Sequence, residues 1–400
     1  MKSKTIKSIS MMVMFAFLCF AQGCGFIIND KNEQNSSDGG QLEEPMAYDP
    51  FKPIWEGDIV YNETVVLMED AEGNYTGNLV FAPTEIISIK NYTLEKEFDT
   101  KRFAMDGNKI ICTDIIGDES DRFDDIPFMT EAMARGDEGH DEFGLDKMGN
   151  VCFTEGIGVV LHQIAVTYRH VEKWDIVPTY AGDKLTNFKE LVESGTDVEM
   201  FLFGDSITSG CNSSAFLNTE PYLPKWGDAV AGLIGKKYSI NVTTINGSEI
   251  GGTSADGLGN INIQLQKHYL RADKAPDIAF IGYGMNDGSG HVSAAKYKAN
   301  VQGIIDAIRT EFPACDIVLM STMLANPIAP QYTEETPTYL AKLKELCEEN
   351  ERTVVVDMTS FSAELYKTKK GLDVLANNVN HPSDFMVRAY VYNVMATLFK

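Results

Sequence analysis

The chain has 400 residues, with 34 Lys and Arg against 58 Asp and Glu and a formal net charge of −24. An acid surplus of that size repels phosphate, which excludes nucleic acid and an anionic membrane surface as partners. The length accommodates two domains.

The first ten residues carry three lysines and no acid. The apolar run Met11–Phe20 follows, too short to span a bilayer as a stable helix. A charged head, a short apolar core and small residues describe a secretory signal peptide over residues 1–23. Cys24 directly after Ala21-Gln-Gly resembles a bacterial lipobox. That resemblance implies lipid attachment at Cys24, a membrane contact through that lipid alone, and a protein on the outer face of the cell membrane. Ala21 stands where such boxes usually carry leucine, so ordinary cleavage and secretion is the alternative. Residues 24–50 are polar and poor in apolar side chains, which predicts a flexible tether.

From residue 51 to 180 the hydrophobic pattern has period two. Gly57–Tyr61, Asn78–Phe81, Glu85–Lys90, Lys109–Thr113 and Val160–His170 are strand-length runs separated by turn residues. In the last of these, His162, Ile164, Val166 and Tyr168 fall on one face and Gln163, Ala165, Thr167 and Arg169 on the other. The pattern predicts a mostly antiparallel, sandwich-like β-domain. His162 and His170 are read as packing residues. The acidic stretches Gly117–Asp125 and Gly136–Glu142 lack an EF-hand spacing and read as solvated loops. Beyond Cys19 and Cys24 the cysteines are an odd set with no close pairs, which fits neither a disulfide framework nor a zinc site.

Residues 181–400 alternate between strand and helix patterns. Strands are predicted at Val198–Phe203, Ile240–Ile245, Asp277–Gly282, Asp316–Met320 and Thr353–Asp357. Helices are predicted at Lys184–Ser194, Tyr222–Lys237, Ile263–Arg271, around the apolar stripe Tyr297–Ile308, at Thr338–Asn350 and at Phe385–Leu398. Five strands alternating with helices give a parallel three-layer α/β/α sheet, so the fold class is α/β.

Four short blocks sit near ends of these elements: FGDSITSG (Phe203–Gly210), NGSEIGGTSADG with Gly251, GYGMND with Asn286, and NNVNHPSDF with His381. In these blocks and in their order the chain resembles the SGNH (GDSL-type) hydrolases, across its second half. The resemblance implies a flavodoxin-like catalytic domain with Ser206 as nucleophile and His381 as its base. It also implies an oxyanion hole from the Ser206 N–H, Gly251 and Asn286, with Gly252 able to replace Gly251. Each residue type suits its role, because ester hydrolysis needs a nucleophile, a proton acceptor and donors for the tetrahedral oxyanion. No Gly-x-Ser-x-Gly elbow, HExxH or P-loop is present, and no cofactor or metal is expected.

One position departs from the family. Its usual aspartate three residues before the histidine is Asn378 here. Asp373 and Asp384 are nearby candidates for orienting His381, and a Ser-His dyad steered by a main-chain carbonyl is equally compatible. The β-domain before an SGNH domain resembles bacterial carbohydrate esterases, which implies removal of O-acetyl groups from a polysaccharide or oligosaccharide. A lipase or acyl-thioesterase, and a carbohydrate-binding lipoprotein on a disabled hydrolase, are the alternatives.

Overall fold

The computed structural model describes residues 48–112, 126–130 and 155–400. Cys24, the leader and the acidic stretches at 117–125 and 136–142 lie outside the described residues. Tyr48–Lys400 form one compact unit. Among the described residues no helix is long and apolar enough to cross a membrane.

The first half is built of strands. β1 (Ile59–Val66), β4 (Glu85–Asn91), β5 (Glu97–Phe98) and β8 (Gln163–Arg169) form an antiparallel sheet in the order β1-β8-β4-β5. β2 (Met68–Glu69), β3 (Tyr75–Asn78), β6 (Phe103–Asp106) and β7 (Lys109–Cys112) form a second, in the order β2-β3-β7-β6. Val65, Leu67, Ile89, Ile110, Ile164 and Val166 are buried in one core. Two details differ from the sequence pattern. Val160–His162 is a 3₁₀ turn, and the strand begins only at Gln163. Both faces of β8 are buried, because Gln163 Nε2 donates to the Leu372 and Leu375 carbonyls (2.7 and 3.1 Å) of a segment from the other half. Period two marks a half-buried strand, and this strand is covered twice.

The second half is a parallel sheet of β9 (Val198–Gly204), β10 (Val242–Asn246), β11 (Ile278–Gly282), β12 (Asp316–Met320) and β13 (Thr353–Val356). The strand order is β10-β9-β11-β12-β13. Every pair is parallel, so each connection is a crossover carrying a helix. The helices are α1 (Thr186–Glu193), α2 (Ser206–Ser209), α3 (Trp226–Tyr238), α4 (Ser254–His268), α5 (Met285–Ser289), α6 (Ala294–Glu311), α7 (Thr336–Glu349), α8 (Met358–Leu365), α9 (Gly371–Val374) and α10 (Asp384–Leu398). α4 starts well before the predicted Ile263: Thr253 caps it with a capping box to Asp256, a start that its glycines and sparse apolar residues obscure in the pattern. The chain order reverses between β9 and β11, the switch point where open α/β sheets bind ligands at the carboxyl ends of their strands.

The two halves share buried polar contacts. Lys369 Nζ reaches Glu63 Oε1 at 2.7 Å with both side chains fully buried, and Tyr168 donates to the other Glu63 oxygen at 2.6 Å. Arg388 donates to the Tyr61 carbonyl at 2.7 Å and to that of Asn62. These bonds fix β1 against residues 369–388, the segment that holds His381.

Candidate active site

The strand β9 ends in Gly204 because nothing larger fits: a Cβ there would lie 2.2 Å from the Gly282 carbonyl and 2.4 Å from Thr208 Oγ1. The next residue, Asp205, donates its N–H to that carbonyl at 3.0 Å, tying the turn to the end of β11. Its carboxylate accepts the Ile207 N–H at 2.9 Å and caps α2, whose first residue is Ser206. Ser206 thus stands at the switch point with its backbone fixed from both sides.

His381 comes from a loop just before α10. Its Nε2 lies 2.9 Å from Ser206 Oγ, within reach for proton transfer. The loop is held by Asn377, whose side-chain oxygen accepts the N–H groups of Val379, Asn380 and His381 at 2.9–3.0 Å. The His381 carbonyl in turn accepts the Ala376 N–H at 2.9 Å. His381 and Ser206 are both largely buried.

The residues proposed to orient His381 have other partners. Asn378 adopts a left-handed backbone (φ 61°), and its side-chain oxygen accepts from Asn326 Nδ2 at 2.9 Å. Asp373 accepts the Val66 and Lys370 N–H groups, each at 2.8 Å, joining β1 to α9. Asp384 accepts the Ser214 N–H at 2.9 Å, and burial raises its pKa against that bond and the nearby Arg388. The imidazole Nδ1 meets Asn212 Oδ1 at 2.8 Å and Glu155 Oε2 at 3.2 Å. The acceptors are therefore side chains, where a main-chain carbonyl was an expectation from the sequence. Asn212 lies close after the Ser206 block, which was a signal; Glu155 sits in VCFTEGIG, which offers none. Asn377 was visible only as the first of an Asn pair.

The loop after β10 is drawn over the end of β9 by Gly247 N–H to the Leu202 carbonyl and Glu249 N–H to the Gly204 carbonyl, both at 2.9 Å. This brings Gly251, in the left-handed region at φ 77°, to the edge where Ser206 emerges. Asn286, at the start of α5 after the adjacent β11, donates through Nδ2 to the Gly252 carbonyl at 3.0 Å. That bond leaves the second N–H of the amide available to a ligand. Beneath it, buried Asp287 accepts the Ser254 N–H at 2.9 Å and its hydroxyl, and Ser254 Oγ also takes Asn300 Nδ2 at 2.9 Å. The glycine loop and the Asn286 turn are thus locked to one another.

Asp205 is pushed up to about 7, chiefly by burial and secondarily by the Asp287 charge, against the Ile207 N–H and the His381 imidazole. In the unfolded chain an aspartate ionises near about 3.9. Between these values the folded protein holds a proton that the unfolded chain has lost. The stability Asp205 contributes is therefore complete at low pH, falls as pH rises and is gone above about 7. Asp205→Asn keeps an acceptor for Ile207 and never ionises. Its melting temperature relative to the native protein is expected to rise from pH 5 to pH 8. Parallel melts that keep a constant difference would show Asp205 ionised across that range.

Among the described residues no group of three or more His, Cys, Asp or Glu side chains is placed to hold a metal ion. A buried serine hydroxyl bonded to an imidazole at the switch point of a parallel sheet, beside an amide-lined loop, defines a carboxylic ester hydrolase of the serine type. Residues 202–388 match the GDSL-like Lipase/Acylhydrolase family. Among curated proteins no match was found. Similar solved structures include a lipolytic G-D-S-L family protein from Veillonella parvula, at 19% identity and TM-score 0.38, covering 49% of this chain and 96% of that one. An acetylxylan esterase, Axe2, from Geobacillus stearothermophilus matches at 20% identity and TM-score 0.38, over 51% and 95% of the two chains. A two-domain esterase active on acetylated mannans matches at 17% identity and TM-score 0.41, over 55% and 53%.

Proposed function

We propose that the protein removes small acyl groups, acetyl foremost, from the hydroxyls of a carbohydrate outside the cell, held at the membrane by a lipid on Cys24. The observation that carries the chemistry is the 2.9 Å contact between Ser206 Oγ and His381 Nε2. Ser206 Oγ attacks the acyl carbon while Nε2 takes its proton, and the carbonyl oxygen becomes the oxyanion facing Asn286 and the Gly251 loop. The carbon–oxygen bond to the alcohol then breaks, and Nε2 returns the proton to the leaving oxygen. Water, deprotonated by the same nitrogen, releases the acid and restores Ser206.

One feature of the surroundings supports the substrate class. The leaving alcohol must lie beside His381, where the rim is Glu155 and Asn380 with Asn377 beneath, Asn377 Nδ2 donating to both at 3.0 and 3.1 Å. Such a rim suits a polyhydroxyl alcohol better than an aliphatic one. Export and anchoring rest on the leader-like first residues and the Ala-Gln-Gly-Cys24 run.

The test is a p-nitrophenyl ester series from acetyl to octanoyl. Acetyl is expected to exceed octanoyl in kcat/KM by at least about tenfold, the lower range of hydrophobic-pocket discrimination. A preference for octanoyl would make the protein a lipase. Release of acetate from an acetylated oligosaccharide tests the alcohol half separately.

A further inference from the structure

The strand-rich first half sends a short segment into the active site. Residues 155–162 precede β8, and the segment is closed on itself by Leu161 N–H to the Ile157 carbonyl (3.1 Å) and His162 Nδ1 to the Gly158 carbonyl (2.8 Å). Its two buried valines anchor it to the His381 side of the molecule. Val159 packs in a cluster with Val66, Met129 and Leu372, and Val160 in one with Tyr92 and Ala376. Leu372 and Ala376 belong to the stretch immediately before the His381 loop. Glu155 is thereby held beside the loop by packing that does not depend on its own side chain.

The carboxylate is then aimed by a clip. Asn377 donates Nδ2 to Glu155 Oε1 at 3.0 Å while its oxygen holds the His381 N–H at 2.9 Å. The other oxygen, Oε2, faces His381 Nδ1 at 3.2 Å. We infer that Glu155 is the residue that orients and charges the catalytic imidazole, taking the place of the aspartate that Asn378 replaces, so that the first half of the chain completes the active site. This inference rests on the ester-hydrolase reading of Ser206 and His381.

The chemistry distinguishes Glu155 from Asn212, which also meets Nδ1. Both accept the Nδ1–H and so fix the tautomer that leaves Nε2 free to take the serine proton. Only the carboxylate stabilises the imidazolium that forms when the proton arrives. Burial works against ionisation of Glu155, and the bonds to His381 and Asn377 outweigh it, so its pKa lies below the ordinary glutamate value. It stays charged wherever the imidazole is neutral enough to act as a base. The other titratable groups around the pair are Asp205 on the Ser206 side, whose charge couples to His381, and Cys211, pushed up to about 12 mainly by burial and next by Glu155 and Asp205. Asp384, on the helix after the loop, is engaged with Ser214 and Arg388.

The experiment compares the native protein with Glu155→Gln, Glu155→Asp and Asn212→Ala on p-nitrophenyl acetate across pH, with melting curves. Glu155→Gln keeps the size and one acceptor oxygen, and loses the charge and the second acceptor. It is expected to lower kcat by roughly a hundredfold, below the ~10⁴ lost when a fully buried triad aspartate becomes asparagine, because Glu155 is partly solvated. The acid limb of kcat/KM is expected to move to lower pH by about one unit, since imidazolium loses its counter-charge. Glu155→Asp should recover at least about tenfold of the loss, and melting should not change. The same shift is expected in an NMR titration of ¹³C-labelled imidazoles, with the His381 signal assigned by His381→Asn. This readout requires no turnover, so failure of the ester-hydrolase reading would be seen separately, as activity that survives Ser206→Ala. Rates for Glu155→Gln within about threefold of native, with neither the limb nor the NMR midpoint moved, would overturn the inference and leave Asn212 as the sole orienting group.

Discussion

Ser206→Ala is expected to lower kcat for acetyl ester hydrolysis by roughly 10⁵–10⁶-fold, the loss seen when a serine nucleophile is removed from a complete site. The substitution deletes one oxygen. The cap from Asp205 to the Ile207 N–H and the Asp205 N–H bond to Gly282 belong to its neighbour, so the turn keeps its geometry. Melting should therefore match the native protein, and covalent labelling by a fluorophosphonate should disappear with activity. Turnover within tenfold of native, with an unchanged melt, would place the chemistry elsewhere.

Asn286→Ala should cost roughly a hundred- to a thousandfold in kcat with little change in KM. One oxyanion donor is worth that much, and it acts on charge that develops only in the transition state. The geometry supports a clean outcome. Asn286 Nδ2 also holds the Gly252 carbonyl, but the same loop is tied independently by Asp287 to Ser254, so the loop should stay in place when the amide is lost. Steady-state kinetics on p-nitrophenyl acetate separate the two parameters. A rise in KM with kcat preserved would assign Asn286 to ground-state binding.

These two residues were legible before any fold was known, because both lie in short blocks tied to strand ends. Ser206 follows β9 and Asn286 follows β11, and those strands are neighbours in the sheet. The strands that carry them read as largely apolar runs, broken only by Glu199 at the start of β9, since a parallel sheet covered on both faces leaves little polar alternation. The helices were less clear where the contrast between an apolar and a polar face was weak. The start of α4 is set by a cap at Thr253 that precedes any apolar stripe, and α8 has few exposed positions to give it a polar face. β8 reads in sequence as one buried and one wetter face, but Leu372 and Leu375 accept hydrogen bonds from the second face through Gln163.

The sequence by itself determined the parallel sheet, the order of the four motif blocks along the chain, and the fact that Asn378 breaks the pattern. Those are local properties: apolar periodicity, turn residues and motif spacing all act within a few positions of the chain. What the imidazole leans on was decided only by tertiary structure. Glu155 is 226 residues from His381 along the chain, and Asn212 is 169. A carboxylate acquires that role by where packing puts it, and Val159 and Val160, buried against Leu372 and Ala376, are what put it there. Those valines are ordinary core residues in sequence, and the contact is not legible from them because the groups that complete it come from the opposite half of the fold.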